Sequence, residues 1–279
     1  MAPLVQGTHA LKIVDYYRRF GFLFQTLTAN SRFLNLGIAE GIGTPHEVRH
    51  AQEQLVLKAA RAGGLCSGMK VLDAGCGLGG PAALLAETYG CSVTAIDIGR
   101  YQMDSIRAWK NSRRGQIPFR MLGADTQLLP FKDHSFERVY SIESAFHFQD
   151  KPQFLRECYR VLKPSGKLVL ADILMKGRSG SSVSTHMSTA LSSPEFFTRT
   201  AYRKHAKREG FSEERIYDVS AGVMEALPLM RNAFFTNLGL LKKQYTVLSL
   251  MKMGFALAAV PHVARYLPFE YAVFVFCKK

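Results

Sequence analysis

The sequence predicts an α/β protein with a Rossmann-like, mostly parallel sheet of seven strands and helices on both of its faces. Short runs of β-branched and aliphatic residues alternate along the chain with segments of helical periodicity, which is typical of βαβ units. A glycine-rich turn within VLDAGCGLGG, Val71 to Gly80, directly follows the first of these runs. With 279 residues, of which 47% are hydrophobic, the chain can bury one sizeable core.

The expected strands are, in chain order, KVLDAG, SVTAIDI, FRMLGAD, ERVYSIE, KLVLADI, ERIYDVS and YAVFVFCK. Two regions depart from this alternation. Residues 1–65 are rich in tyrosine and phenylalanine and show no strand pattern, so we expect a helical N-terminal segment. Residues 223–267, between the sixth and seventh strands, are rich in methionine, leucine and phenylalanine and predict a helical cap inserted into the core, residues 66–279.

Charge and cysteine content narrow the class of protein. The net charge of +14 favours anionic partners such as nucleic acid, phosphorylated substrates or an acidic membrane surface, but the basic residues are spread along the chain. Five cysteines without CxxC spacing argue against a disulfide framework and a zinc site, so we expect no metal. No apolar run reaches the length of a membrane span, and we expect a soluble, cytoplasmic protein.

The glycine turn suggests a ligand site. Gly75, Gly77 and Gly79 follow the first strand in a G-x-G-x-G pattern, and bare backbone there lets a ligand approach the carboxyl edge of the sheet. Asp97 ends the second strand, where an acidic residue can bind the two hydroxyls of a ribose. The alternative is that the glycines only form a tight turn and Asp97 caps a helix.

Two further segments identify a family. GADTQLLPF, Gly123 to Phe131, and LKPSGKLVLADI, Leu162 to Ile173, follow VLDAGCGLGG and IDIGRYQ in order. Together they resemble the class I S-adenosylmethionine-dependent methyltransferases over roughly residues 65–175. The resemblance implies S-adenosylmethionine as cofactor, with the glycines against its methionine part, Asp97 on the ribose and Asp125 with Thr126 at the adenine amino edge. The implied cofactor-binding set is Tyr17, Gly75, Gly77, Asp97, Ile98, Gln102, Asp125 and Thr126.

The N-terminal segment resembles the lid of the branch that acts on sterols, tocopherols, prenylated quinones and natural-product scaffolds. In that branch a paired tyrosine closes over the cofactor, and Tyr16 and Tyr17 match it within IVDYYRRFGF. Arg18 stands where many relatives have an aspartate, and Asn35 where many have a histidine. We therefore expect residues 1–65 to form a lid, the alternative being that the tyrosines only pack the helix onto the core.

Methyl transfer requires alignment of the nucleophile with the methyl group and, for a protonated nucleophile, a base. The fourth strand runs into SIESAFHFQD and the fifth ends in LADI, and these strands should be neighbours. We expect Glu143, His147 and Asp172 at one rim of the pocket, with His147 as the base and Asp172 orienting it, as a histidine and an aspartate do in sugar-modifying relatives. The alternative is a His147 that only packs.

The expected function is methyl transfer from S-adenosylmethionine to a lipophilic small molecule in natural-product or prenyl-lipid metabolism. O-, N- and C-methylation stay open, and a prenyl or terpene carbon is a serious option. The alternatives are an RNA methyltransferase, suggested only by the net charge, and a scaffold without activity. The chain carries no N/D-PP-Y/F signature of base amino methylation, and we expect no nucleic-acid partner.

The expected partners of the protein concern the lid and the cap. We expect both to roof an apolar acceptor site, while a dimer interface or an extra core layer is the alternative for the cap. Peripheral contact with acidic membranes, aided by Lys242, Lys243 and Lys252, and a homo-oligomer formed through the lid or cap are further options.

Overall fold

The strand order places a ligand crevice at the centre of the sheet. The computed structural model describes residues 8–28, 31–39, 48–176, 188–189, 191–263 and 269–279. In this part of the chain the strands are β1 (Lys70–Ala74), β2 (Ser92–Asp97), β3 (Phe119–Gly123), β4 (Phe136–Ile142), β5 (Leu162–Met175), β6 (Phe211–Asp218) and β7 (Phe269–Lys278). They form one sheet in the order β3-β2-β1-β4-β5-β7-β6. The order reverses between β1 and β4, and ligands bind at such switch points in open α/β sheets.

The strand directions explain the sequence pattern. β1 to β5 pair in parallel, whereas β7 runs antiparallel to both β5 and β6. Val71 and Leu72 of β1 are both fully buried although they point to opposite faces. Successive residues of a central parallel strand are buried in this way when helices cover both faces of the sheet. The sequence of such a strand is therefore an unbroken apolar run.

Helices cover both faces of the sheet, as predicted. They are α1 (Thr8–Leu27), α2 (Val48–Ala62), α3 (Gly80–Tyr89), α4 (Arg100–Ser112), α5 (Lys151–Val161), α6 (Arg199–Arg208), α7 (Ser220–Thr236), α8 (Leu238–Leu241) and α9 (Val247–Val263). Val71 belongs to a hydrophobic cluster with residues of α2, α3 and α4, and Leu72 belongs to a second cluster with residues of α5 and α6. The Rossmann-like fold class is confirmed.

The N-terminal helices and the cap pack on each other. Leu23 of α1 and Ala51 of α2 belong to one buried cluster with Met230 and Phe234 of α7. The helical insertion begins at Ser220, slightly before the predicted residue 223, because α7 starts directly after β6; residues 264–268 lie outside the described chain. The cap is therefore an added helical layer over α1 and α2. The division into a lid, residues 1–65, and a cap, residues 223–267, as functional units stays a prediction.

None of the described helices combines the length and the apolar character needed to cross a membrane.

Phe234 and Phe235 provide a matched test of the added layer. Phe234 is 1% exposed and faces Gly254 of α9, whereas Phe235 is 47% exposed. Phe234→Ala should lower the free energy of unfolding by about 3 to 5 kcal/mol because it opens a cavity in the cluster. Phe235→Ala should lower it by roughly 1 kcal/mol or less. Urea unfolding measures both, and equal losses would show that α7 does not pack in this way.

Candidate active site

The turn after β1 lies close against the segment after β4. Gly75 and Gly77 adopt positive φ angles of 83° and 54°. A Cβ on Gly75 would lie 2.5 Å from the Cβ of Ser144, and a Cβ on Gly77 would lie 3.0 Å from Leu34. The amides of Gly75 and Cys76 both donate to the carbonyl of Ile96, at 2.9 Å each. The turn is therefore fixed between the ends of β2 and β4, and only glycine fits at Gly75.

Asp97 closes the turn from β2. Its Oδ2 accepts a hydrogen bond from the amide of Gly77 at 2.9 Å, and its Oδ1 accepts one from the amide of Gly99 at 2.8 Å. Burial raises the pKa of Asp97 to about 6, and the amide donors act in the opposite direction. Asp97 is thus mainly ionised at neutral pH and presents a carboxylate at the carboxyl end of β2.

A cleft opens at the carboxyl ends of β1, β2 and β4, between the glycine turn and α1. All predicted site residues except Asp172 line it, namely Tyr17, Gly75, Gly77, Asp97, Ile98, Gln102, Asp125, Thr126, Glu143 and His147. The described lining includes the carboxyl groups of Asp97, Asp125 and Glu143 but no lysine or arginine. The cleft therefore favours a ligand that carries positive charge and hydrogen-bond donors.

Two buried oxygens in the cleft lack partners. Gln102 Oε1 and Asn35 Oδ1 make no hydrogen bond within the described chain, and both residues line the cleft. Nearby, Asp125 Oδ1 accepts from the backbone and side-chain nitrogens of Gln127, at 2.8 and 3.2 Å. Buried acceptors without donors are costly unless a ligand supplies the donors. An amino group, ribose hydroxyls and an adenine amino group would do so.

His147 lies in the 3-10 turn Ala145–His147 that follows β4. Its Nδ1 is 3.3 Å from the carbonyl oxygen of Ser192, and its Nε2 is 3.0 Å from the hydroxyl of Tyr17. A carbonyl oxygen only accepts, so Nδ1 carries the hydrogen in the neutral ring and Nε2 is the basic nitrogen. The hydroxyl of Tyr17 therefore donates to His147, which links α1 to the segment after β4.

Asp172 hydrogen-bonds to a residue other than His147. We expected it to orient the imidazole, but its Oδ2 accepts from the hydroxyl of Tyr202 at 2.5 Å, and the carbonyl of Ser192 contacts His147 instead. The reason is strand parity, since Asp172 points to the same side of β5 as Leu170 and Leu174, towards α5 and α6. Burial raises the pKa of Asp172 to about 6, which Tyr202 and Lys151 partly offset.

Lys151 connects this buried carboxylate to the histidine turn. Its Nζ donates to the carbonyl oxygens of Phe146 at 3.3 Å, Phe148 at 3.0 Å and Glu195 at 2.7 Å. Phe146 and Phe148 flank His147, so Lys151 fixes the backbone on both sides of the imidazole. Burial lowers the pKa of Lys151 to about 8, and Asp172 counteracts that shift. Asp172 thus acts on the histidine turn through Lys151 and the backbone of Phe146.

Glu143 ties the loop after α1 to the end of β4. It has a positive φ of 50°, and its Oε1 accepts from the amide of Leu36 at 2.7 Å. Burial raises the pKa of Glu143 to about 8, although the nearby hydroxyl of Tyr271 lowers it. Glu143 is therefore largely protonated at neutral pH, and its role differs from that of the ionised Asp97.

Several residues of the cleft are not among those predicted from the sequence. Ser144 Oγ donates to the carbonyl of Ala74 at 2.8 Å and sits directly against Gly75. It follows Glu143 in a segment already singled out, so its position after the fourth strand was a usable signal. Leu34 comes from a loop without periodicity, and nothing in its sequence context indicates that it reaches the cleft, whereas Asn35 was noted within the segment that resembles a lid.

Comparison with known proteins identifies the family. A model described as a methyltransferase domain matches residues 72–170. Methyltransferase GfsG of Streptomyces halstedii is 32% identical over 168 residues, 60% of this chain and 59% of that protein, so the match spans less than two thirds of its length. O-methyltransferase rstn1 of Aspergillus nomiae is 30% identical over 60% of this chain and 73% of that protein. This chain belongs to the S-adenosylmethionine-dependent methyltransferases. The predicted family is thereby confirmed.

Solved structures share the fold of this methyltransferase over nearly the whole length of the chain. The [4+2]-cyclase SpnF superposes with a TM-score of 0.80 at 19% identity and covers 96% of both chains. Geranyl diphosphate C-methyltransferase from Streptomyces coelicolor A3(2), solved with geranyl diphosphate and S-adenosyl-L-homocysteine, has a TM-score of 0.77 at 16% identity and covers both chains completely. One neighbour is named a cyclase, so the fold alone does not specify the reaction.

Glu143 predicts a dependence of stability on pH. Its pKa in the folded protein, about 8, lies above the ordinary value of 4.5, so the folded state holds a proton that the unfolded state loses between these values. Its contribution to stability is complete below pH 4.5 and disappears as the pH rises through 8. Glu143→Gln cannot ionise at this position. The free energy of unfolding of Glu143→Gln minus that of the wild type should therefore be clearly larger at pH 8.5 than at pH 5.

Urea unfolding at the two pH values measures this difference. Glu225→Gln is the matched control, because Glu225 is exposed on α7. Parallel stability curves for the wild type and Glu143→Gln would show that Glu143 is ionised in the fold.

Proposed function

We propose that this protein transfers a methyl group from S-adenosylmethionine to an uncharged, lipophilic small molecule in natural-product or prenyl-lipid metabolism. The observation that carries the proposal is the cleft at the β1/β4 switch point, where the glycine turn and Asp97 meet. The family membership supports methyl transfer, and the acid-rich cleft lining supports a cofactor with a sulfonium and an ammonium group.

The described residues fit this cofactor. The backbone of Gly75 and Gly77 would lie against its methionine part, Asp97 would accept from the ribose hydroxyls, and Asp125 with Thr126 would meet the adenine amino edge. Ile98 and Gln102 also line the cleft on this side. Gln102 Oε1 makes no hydrogen bond within the described chain, so it would accept one from the cofactor. The bound cofactor supplies a methyl group already activated by the positive sulfur.

The cleft also constrains the acceptor. Ile13, Leu34 and Phe148 add apolar surface to the lining, and no lysine or arginine of the described chain faces the cleft. A diphosphate or an RNA backbone needs cationic partners to offset its loss of water. This composition favours an uncharged acceptor over a polyanion, and it argues against the RNA methyltransferase alternative despite the net charge of +14.

Tyr17 and His147 provide a path for a proton. Tyr17 lines the cleft and donates to Nε2 of His147, so its hydroxyl stands between the cleft and the base. As an acceptor hydroxyl forms its new bond to carbon, its proton can pass to the oxygen of Tyr17 while the proton of Tyr17 moves to Nε2. His147 then becomes an imidazolium held by the carbonyl of Ser192.

An alkene carbon or an unprotonated amine would need no base before the transfer. For such an acceptor, the ring of Phe148, which lines the cleft, would stabilise positive charge, and Glu143 would add a negative charge only above about pH 8. Lys151 then acts in either case as a positioning residue, because it holds the backbone around His147, and Asp172 acts through its charge on Lys151.

Asp97→Ala tests the cofactor site. The substitution removes the charged acceptor proposed for two ribose hydroxyls, so affinity for S-adenosylmethionine should fall by about 2 to 4 kcal/mol. Asp104→Ala, on the exposed side of α4, should bind as the wild type does. Isothermal calorimetry measures both affinities, and an unchanged affinity in a folded Asp97→Ala protein would refute the cofactor assignment.

The same proteins test the transfer itself. Wild-type protein incubated with labelled S-adenosylmethionine and extracts of its own cells should label a lipophilic small molecule, and Asp97→Ala should not. Mass spectrometry identifies the product. Label that appears only in the RNA fraction would overturn the proposed substrate class.

Tyr17→Phe and His147→Ala test the proton path once that acceptor is known. For a hydroxyl acceptor, each variant should slow single-turnover transfer roughly a hundredfold, and His147→Ala should leave cofactor affinity nearly unchanged. The double variant should be little slower than either single variant, because both act in one path. Full-speed, pH-insensitive transfer by His147→Ala would exclude the base and indicate carbon or amine methylation.

A further inference from the structure

One side of α9 is apolar and faces outward. Val247, Leu248, Met251 and Phe255 are 66%, 62%, 66% and 78% exposed. Their spacing places them on one stripe of the helix, at positions i, i+1, i+4 and i+8. A helix that is apolar all round is normally buried on every side. This stripe, which we call the α9 face, therefore has an apolar surface that the rest of the described chain does not cover.

The opposite side of α9 already has its partners. Leu250 is 5% exposed within the cluster that joins the cap to α1 and α2. Gly254 lies against the rings of Phe234 and Phe235, and a Cβ there would be 3.1 Å from Phe234 and 3.7 Å from Phe235. Since Phe235 is itself 47% exposed, its ring extends the apolar surface beside α9. The exposed stripe is thus the outer side of a helix fixed in place by its inner side.

The charged residues of the chain segment that contains α9 all have one sign. From residue 226 to residue 263 the sequence contains no aspartate or glutamate, whereas it contains Arg231, Lys242, Lys243 and Lys252. The three lysines are exposed, and Lys252 stands within α9 at the edge of the stripe. Lys242 and Lys243 lie between α8 and α9. An apolar stripe whose own segment carries only cations is complementary to a surface that is apolar inside and anionic outside.

We propose that the α9 face docks on the surface of an anionic lipid bilayer. The apolar side chains enter the boundary between head groups and acyl chains, and the lysines contact the anionic head groups. A second copy of this chain is a poorer occupant, because two such faces would bring their lysines together at distances where salt screens the repulsion only in part. The proposal does not depend on methyl transfer.

Helix α1 lies between the cap and the cleft. α1 packs on the cap through Leu23 and Leu27, and Tyr17 of the same helix lines the cleft. A bilayer at the α9 face would therefore lie on the outer side of the cap, whose inner side packs on the helix that borders the cleft.

Vesicle sedimentation of the full-length protein tests this docking. The protein should sediment with vesicles of phosphatidylcholine and phosphatidylglycerol, should bind pure phosphatidylcholine far more weakly, and should be released as salt is raised. Met251→Asp/Phe255→Asp and, separately, Lys242→Glu/Lys243→Glu should each weaken binding to the anionic vesicles roughly tenfold or more.

Matched controls separate the α9 face from the overall charge. Leu128→Asp changes an apolar side chain that is 76% exposed after β3, and Lys204→Glu/Lys207→Glu reverses two exposed charges of α6. Both controls should retain binding within about twofold to threefold, and circular dichroism verifies that all variants fold. Equal losses in controls and α9 variants would show that binding reflects net charge alone, and this would overturn the proposal.

Two other results would also overturn it. One is the absence of binding to anionic vesicles at low salt. The other is a concentration-dependent dimer in sedimentation velocity that Phe255→Asp dissociates, since the α9 face would then belong to an interface between copies of the chain.

Discussion

The contact between the turn after β1 and the segment after β4 is the constraint on which the cleft depends. The backbone of Gly75 lies so close to Ser144 that a methyl group on Gly75 would displace it. The same turn is fixed to β2 by the amides that donate to Ile96 and Asp97. Because three strands meet at this turn, their carboxyl ends converge and bring an acidic residue, an exposed backbone and His147 to one place.

The electrostatics of the cleft follow from burial without nearby cations. Asp97 and Glu143 have pKa values of about 6 and 8, in both cases because burial disfavours the charged form. Positive charge bound in the cleft would stabilise the ionised forms, so cation binding and loss of protons are coupled there. Lys151, a buried cation behind His147, is engaged by three backbone carbonyls and holds the turn.

Helix α1 connects the two halves of the molecule. Its Leu23 and Leu27 join the buried cluster of the cap, while Ile13 and Tyr17 line the cleft. No described residue of the cap lines the cleft itself. The cap therefore acts on the cleft through α1, and the predicted roof over the acceptor site is formed on the described side by α1 and the loop at Leu34. This arrangement matches the alternative of an added core layer, and within the described residues nothing covers the outer side of α9.

The sequence by itself determined the seven strands, the glycine turn, the family and the group of residues around the cleft. Apolar runs, glycines and an acidic residue at a strand end are local signals, and the order of the parallel strands brings such ends together. The tertiary structure alone decided which side chains meet. Strand parity turned Asp172 towards Tyr202, a distant carbonyl at Ser192 set the tautomer of His147, and helix packing placed Tyr17 on Nε2. These contacts join residues far apart in the chain, and their directions depend on packing that no local pattern encodes.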